Sequence, residues 1–320
     1  MSGIKEGFMK KIFKILKYLF FVILALVIVF CAFNYRADVP VAELKAKYTT
    51  AESRFLDLDG MAVHYRDEGN PADKTPIVLL HGTAASLLTW NGWTVALKAE
   101  HRVIRLDLPG YGLTGPNPAQ DYSMNFYVRF LHDFLEKLDV NRFYQAGNSL
   151  GGKIAWEYGL AYPDNIKKLI LIDAAGYPLS HGKPLAIRLA STPVLKNILL
   201  YITPKFLVEK SLKEVYADDR KVTKQLVEQY YDMACRAGNR AAFVARAGMV
   251  DDDDYLKIKQ IQTPTLILWG EADAWIPVEN AYKFEKALPN NRVVIFRNLG
   301  HIPQEENPSE TIKEVLVFIK

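Results

Sequence analysis

Hydrophobic positions along the chain fall into three regimes. From Tyr18 to Phe33 the sequence YLFFVILALVIVFCAF carries no charge. Extended back through IFKILK, the stretch reaches about 22 residues, enough to cross roughly 30 Å of hydrocarbon if Lys14 and Lys17 reach out to the interface. A cleaved signal needs small residues at −1 and −3, which Phe30, Cys31, Ala32 and Phe33 do not supply. A lipoprotein signal wants a small residue where Phe30 precedes Cys31. Residues 1–33 therefore read as a retained transmembrane signal-anchor. The lysines of the leader predict a cytoplasmic N-terminus, with the rest of the chain extracytoplasmic, periplasmic or extracellular.

In the second regime, RFLDLDGMAVHYRDEG, apolar and polar residues alternate on either side of Asp59-Gly60, which predicts a β-hairpin. The third consists of short continuous apolar runs that end in turn residues: PIVLLHG, RVIRLDLPG, RFYQAGNS, KKLILIDAAG, TPTLILWGEAD and NRVVIFRNLGH. Runs of this kind suit parallel strands buried on both faces. Six of them plus the hairpin predict an α/β architecture with a mostly parallel eight-stranded sheet and helices on both faces. One interruption, about 80 residues of helix-like sequence between LILIDAAG and TPTLILWG, reads as a helical lid inserted after the sixth strand. The expected organisation is an anchor (1–33), a mixed polar linker (34–53), a core (54–176 and 256–320) and a lid (177–255).

Chemistry enters at AGNSLGG, between a strand-like and a helix-like run. A serine raised on a tight strand-to-helix bend takes a strained backbone conformation, and glycines at 147 and 151 remove the collisions that side chains there would cause. The bend exposes the Ser149 hydroxyl and sets the Leu150 N–H at the start of a helix, where donors point at a developing anion. A serine hydroxyl needs a histidine to take its proton and a carboxylate to orient that histidine. Asp273 and His301 follow apolar strands in that order, and the chain order Ser, Asp, His differs from the two common serine-protease orders.

From about Arg54 to Lys320, the motifs HGTAAS, DLPGYGLT, GNSLGG, WGEAD and GHIPQEENP occur in the order found in the α/β-hydrolase superfamily of serine esterases and lipases, which the chain resembles. With its anchor and GNSLGG it is similar to membrane-anchored monoacylglycerol-lipase-like hydrolases. The resemblance implies a catalytic triad of Ser149, Asp273 and His301. It also implies an oxyanion hole in which the N–H of Thr83, after His81-Gly82, joins that of Leu150. The implied activity is hydrolysis of a carboxylic ester through an acyl-enzyme, with no metal or organic cofactor. A serine at the nucleophile position argues against the dehalogenase and epoxide-hydrolase chemistry of relatives that carry aspartate there.

Other residues receive plainer readings. Asp173 is an alternative triad acid, with a turn role favoured; Asp107 reads as structural, and His81 as a brace for the oxyanion loop. His64, His101, His132 and His181 lack a partner motif. GYGLTG at 110–115 fits a dinucleotide-binding pattern but precedes PNPAQDYS and not a helix. The acidic run Asp251 to Asp254 lacks the spacing of a calcium loop and reads as a solvated exit from the lid.

Composition narrows the picture only slightly. Five lysines and one glutamate in the first seventeen residues account for the net charge of +4, so the rest is neutral and offers no nucleic-acid footprint. The two cysteines provide no disulfide framework. Twelve apolar side chains between Leu185 and Val208 exceed what packing a surface helix needs, which points to a lipophilic ester with a medium or long acyl chain. Carbon–carbon bond hydrolysis, perhydrolysis and ligand sensing with low turnover are the other reactions open to the same groups.

Overall fold

The computed structural model describes residues 2–179, 182–249 and 254–320. Eight strands form one sheet in the order β1-β2-β4-β3-β5-β6-β7-β8. They are β1 (Ser53–Leu58), β2 (Met61–Gly69), β3 (Ile77–Leu80), β4 (Arg102–Leu106), β5 (Phe143–Asn148), β6 (Ile166–Ile172), β7 (Thr265–Gly270) and β8 (Asn291–Phe296). β1 and β2 form the expected hairpin, with Asp59 and Gly60 both at positive φ (51° and 75°), as a two-residue turn of the primed type requires. β2 meets β4 antiparallel, and from β4 to β8 every pairing is parallel.

The apolar runs are continuous because both sheet faces are covered. Along β3, Ile77 and Leu79 join the cluster that holds Trp90, Trp93, Ile312 and Val315, whereas Val78 and Leu80 join the cluster of Phe126, Phe130 and Ile154. Helices Asn91–Leu97 and Pro308–Ile319 thus cover one face, and Met124–Lys137, Leu150–Ala161 and Glu279–Ala287 the other. Ser123 caps the first of the latter group by accepting a hydrogen bond from the Phe126 N–H (3.2 Å).

Among the described residues, five α-helices lie between β6 and β7: Leu185–Ser191, Leu195–Leu199, Lys205–Val215, Lys224–Cys235 and Asn239–Ala247. They form the helical insertion. The N-terminal helix runs from Ser2 to Asn34, and its segment Met9–Asn34 has none of its apolar stretch buried against the rest of the protein. At 1.5 Å per residue those 26 residues span about 39 Å.

The segment after this helix is packed on the insertion. Tyr35 bridges to Ile202, the Val39 N–H donates to the Cys235 carbonyl (2.8 Å), and the Ala237 N–H donates back to the Val39 carbonyl (2.9 Å). Helix Val41–Tyr48 then buries Leu44 in a small cluster with Val39, Leu113, Met233 and Cys235. Lys47 and Tyr48 both reach Asp232, at 2.6 and 2.8 Å. The Leu44→Ala substitution is expected to cost about 2–5 kcal/mol of stability, measured by denaturant unfolding of the full chain in detergent. A loss below about 0.5 kcal/mol, the level of a surface change, would show that this segment contributes nothing to the fold.

Candidate active site

β5 ends at Asn148 and helix Leu150–Ala161 begins two residues later, so Ser149 alone makes the turn. Its φ of 54° and ψ of −115° lie where side chains are strained. A Cβ on Gly147 would sit 2.2 Å from the Gly151 carbonyl oxygen, which is the collision expected from the sequence. Gly151 is required for a different reason: a Cβ there would sit 2.2 Å from the carbonyl oxygen of Leu80 at the end of β3. The turn is pinned by the Ser149 N–H donating to the Ile172 carbonyl and the Ser149 carbonyl accepting from the Ala175 N–H, both at 3.0 Å.

Asp273 and His301 arrive from the loops after β7 and β8. His301 Nδ1 lies 2.7 Å from Asp273 Oδ2, with both side chains buried. Oδ1 of Asp273 accepts from the backbone N–H groups of Trp275 (2.7 Å) and Ile276 (2.9 Å), which fixes the carboxylate plane. Two residues not singled out in the sequence hold the histidine loop. Asn148 donates from Nδ2 to the carbonyls of His301 (2.9 Å) and Ile172 (3.1 Å). Glu306 accepts from the N–H groups of Gly300 (2.8 Å), Ala217 (3.1 Å) and Asp218 (3.0 Å), fastening the loop to the insertion. Asn148 sits inside the serine motif and Glu306 inside QEEN, but only the folded chain reveals what either one meets.

Ser149, His301 and Thr83 line one cavity of about 180 Å³. Leu185, Leu189, Leu199, Leu207 and Val208 supply its apolar wall, whereas Val194, Leu195, Ile198 and Phe206 face outward. Among the described residues, the Ser149 hydroxyl makes no hydrogen bond, and no protein acceptor takes the N–H of Thr83 or Leu150. Contacts of this kind often tighten only when substrate binds. Gly82 lies against the serine, a Cβ there falling 3.1 Å from Ser149 Cβ. His81 braces this loop: its Nε2 accepts from the Leu108 N–H (2.9 Å), so the proton sits on Nδ1 and is donated to the Gly82 carbonyl (2.8 Å). Burial lowers the pKa of His81, in keeping with a neutral ring.

The alpha/beta hydrolase fold family matches residues 75–308. The chain belongs to this family. This hydrolase is 28% identical over 285 residues to human monoacylglycerol lipase ABHD6, a match that covers 83% of each chain. It is 26% identical over 277 residues to the 2-hydroxy-6-oxo-6-(2'-aminophenyl)hexa-2,4-dienoic acid hydrolase of Metapseudomonas resinovorans, covering 83% of this chain and 90% of that one. The solved structure of lip1 from Acinetobacter baumannii AYE superposes with a TM-score of 0.72 at 27% identity, covering 89% and 97% of the two chains.

A serine, a histidine and an aspartate are also joined by hydrogen bonds away from the cavity. His64, for which the sequence offered no partner, lies 2.7 Å through Nδ1 from Asp107 and 3.0 Å through Nε2 from Ser53 Oγ. It does not line the cavity that holds Ser149. Ser53 Oγ also accepts from Arg66 Nε and the Thr50 N–H, and Asp107 accepts from the N–H groups of Leu87 and Leu113. These bonds tie β1, β2 and β4 to the loops that follow, consistent with the structural reading of Asp107. His101 approaches Asp73 (3.3 Å) and His132 stacks on Tyr162, both away from the cavity. Gly110 to Gly115 form a loop closed on itself by the Gly110 N–H and Gly115 carbonyl (2.6 Å). His181 and Asp251 to Asp253 lie outside the described residues, and Asp254 pairs with Lys257.

Asp173 does not pair with His301 through Nδ1, yet its carboxyl stands beside the pair. One polar atom each from Asp173, Asp273 and His301 lies within 4.8 Å of the other two. A metal would find few free ligand atoms here, since both oxygens of Asp273 and one of Asp173, which accepts from the Gly270 N–H (3.0 Å), are already engaged. Burial and then the neighbouring Asp273 charge raise the pKa of Asp173 well above the ordinary carboxylate range. The native state therefore keeps a proton that the unfolded chain releases, so this residue costs stability progressively as pH rises above about 4. The Asp173→Asn variant keeps a donor toward Asp273 and removes that cost. Its Tm relative to the unsubstituted chain is expected to be higher at pH 8 than at pH 4.5; a difference that is flat or falls with pH would contradict a protonated Asp173.

Proposed function

We propose that this hydrolase cleaves lipophilic carboxylic esters through an acyl-enzyme on Ser149. The observation that carries this reading is the His301–Asp273 contact of 2.7 Å at the wall of the cavity onto which the strained Ser149 turn opens. His301, held by Asp273, takes the hydroxyl proton as Ser149 Oγ attacks the ester carbonyl. The N–H groups of Thr83 and Leu150 stabilise the resulting oxyanion, each such donor being worth roughly 10²–10³ in rate. His301 then protonates the leaving alcohol and, in the second half, activates the water that releases the acid. The five leucine and valine side chains on the insertion receive the acyl chain, at roughly 0.8 kcal/mol per buried CH₂ before ordering costs. Helix Met9–Asn34 serves as a single-pass anchor with its N-terminus in the cytoplasm, and the catalytic domain lies on the other side, beside the lipid phase from which such esters partition.

Carbon–carbon bond hydrolysis on the same groups has one observation in its favour, the likeness to the Metapseudomonas resinovorans hydrolase. A panel of p-nitrophenyl esters and vinylogous diketones separates the two.

Ser149→Ala is expected to abolish fluorophosphonate labelling and to lower turnover of p-nitrophenyl octanoate by about 10⁴–10⁶, while Ser53→Ala keeps the label. In the unsubstituted chain, kcat/KM should climb from acetate to octanoate. Labelling that follows Ser53, or efficiency that peaks at acetate, would overturn the nucleophile or the substrate class respectively. A reporter fused after Lys320 should behave as extracytoplasmic; cytoplasmic reporter activity would reverse the assigned topology.

A further inference from the structure

His301 is tied to Asp273 along one edge of its ring and to the Val215 carbonyl by its backbone, and neither tie stops the imidazole from tilting about the Nδ1 contact. A packed face does. Among the described residues, the aromatic ring against His301 is that of Trp275, with centroids 5.5 Å apart and planes at 36°. Trp275 also lines the cavity that holds Ser149. Its backbone N–H donates to Asp273 Oδ1 (2.7 Å), so the residue that helps to orient the carboxylate is the one that backs the imidazole.

The indole is held in turn from the insertion. Its Nε1–H donates to Glu214 Oε2 (3.3 Å) on helix Lys205–Val215, while Lys210 Nζ stands 3.9 Å from the other oxygen of that carboxylate. The ring packs against a cluster that contains Leu212 and Val215 of this helix and Ile302, the residue after the histidine. One helix of the insertion therefore reaches His301 twice, through the Val215 carbonyl and through Trp275.

The position of the indole matters to the chemistry. As Ser149 gives up its proton, the imidazole becomes a cation, and an aromatic face within about 6 Å stabilises a cation more than the neutral ring that preceded it. A carboxylate that accepts from the indole N–H polarises the ring in the favourable sense. Stabilisation that appears only as charge develops lowers the barrier without tightening the ground state.

We propose that Trp275 is a positioning residue for His301 and that Glu214 sets the pose of its indole, so that the insertion takes part in proton transfer at Ser149 as well as walling the cavity. The proposal rests on acyl transfer at Ser149.

The test measures kcat and KM of full-length enzyme in detergent for p-nitrophenyl acetate and p-nitrophenyl octanoate, with each rate divided by the fraction of Ser149 that a fluorophosphonate labels at completion. His301 acts in both halves of the reaction, so the readout holds whichever half limits turnover. Trp275→Leu is expected to lower kcat by about 10–100-fold on both esters, with KM changed by less than about twofold. Trp275→Phe restores an aromatic face and should lose only about threefold. Glu214→Leu should also lose about threefold, and the double substitution no more than Trp275→Phe alone, because a phenyl ring has no N–H to give. A loss that sits in KM, or that grows from acetate to octanoate, would make Trp275 a wall of the acyl site and overturn the proposal; full turnover per labelled site in Trp275→Leu would do the same. If Trp275→Leu does not fold, the milder pair decides, and additive losses in Trp275→Phe and Glu214→Leu overturn the relay. An unsubstituted enzyme that neither hydrolyses these esters nor takes the label overturns acyl transfer at Ser149 itself, and the proposal falls with it.

Discussion

Backbone crowding at the ends of the central strands governs the geometry of the site. Three such contacts join segments from different parts of the chain around the site: Gly151 against the Leu80 carbonyl, Gly270 against the Gly300 carbonyl, and Gly300 against the Val215 carbonyl, where a Cβ would fall at 2.2, 2.1 and 2.3 Å. The first drives the N-terminus of helix Leu150–Ala161 against the end of β3, which brings the Leu150 N–H close to the loop that carries Thr83. The other two press the loop of Asp273 against that of His301, and the loop of His301 against the insertion. A hydrogen bond from the His301 N–H to the Val215 carbonyl (2.8 Å) seals the last contact. One extra carbon at any of these positions would move a functional group by more than a hydrogen bond tolerates.

This crowding also explains what could be read in advance. The β-hairpin, the six apolar strands and the helices between them follow from periodicity and turn residues, which are local properties. The glycines around Ser149 were legible as a steric necessity, although the partner of Gly151 was not, because Leu80 lies about 70 residues earlier in the chain. Contacts across such separations leave no local signal. The Ser53–His64–Asp107 network, the Asn148 and Glu306 ties, and the docking of residues 35–48 on the insertion all belong to this class. Helices of five and seven residues, as at Leu195–Leu199 and Leu185–Ser191, are likewise too short for periodicity to say which apolar side chains turn inward.

The two histidine–aspartate pairs, one bonded to Ser53 and one at the wall of the cavity that Ser149 lines, differ in their surroundings more than in their hydrogen bonds. Ser53 Oγ lies 3.0 Å from His64 Nε2, whereas the Ser149 hydroxyl makes no hydrogen bond among the described residues. Ser53 lacks what the Ser149 turn has: a strained φ, a cavity beside it and unoccupied N–H donors close by. Stabilisation of a developing oxyanion usually lowers the barrier to acyl transfer more than any other single effect, and only the Ser149 turn, of the two, offers the surroundings for it.

Arg240 links two parts of the chain that the sequence presents as independent. One edge of its guanidinium holds Asp38 and the Arg36 carbonyl, directly after the apolar N-terminal helix, while the group itself lines the cavity that contains Ser149. The Asp38 carboxylate pairs with the buried Arg240 guanidinium, so the segment that follows the N-terminal helix compensates a charge held in the insertion. A single side chain thereby ties the segment after the N-terminal helix to the insertion.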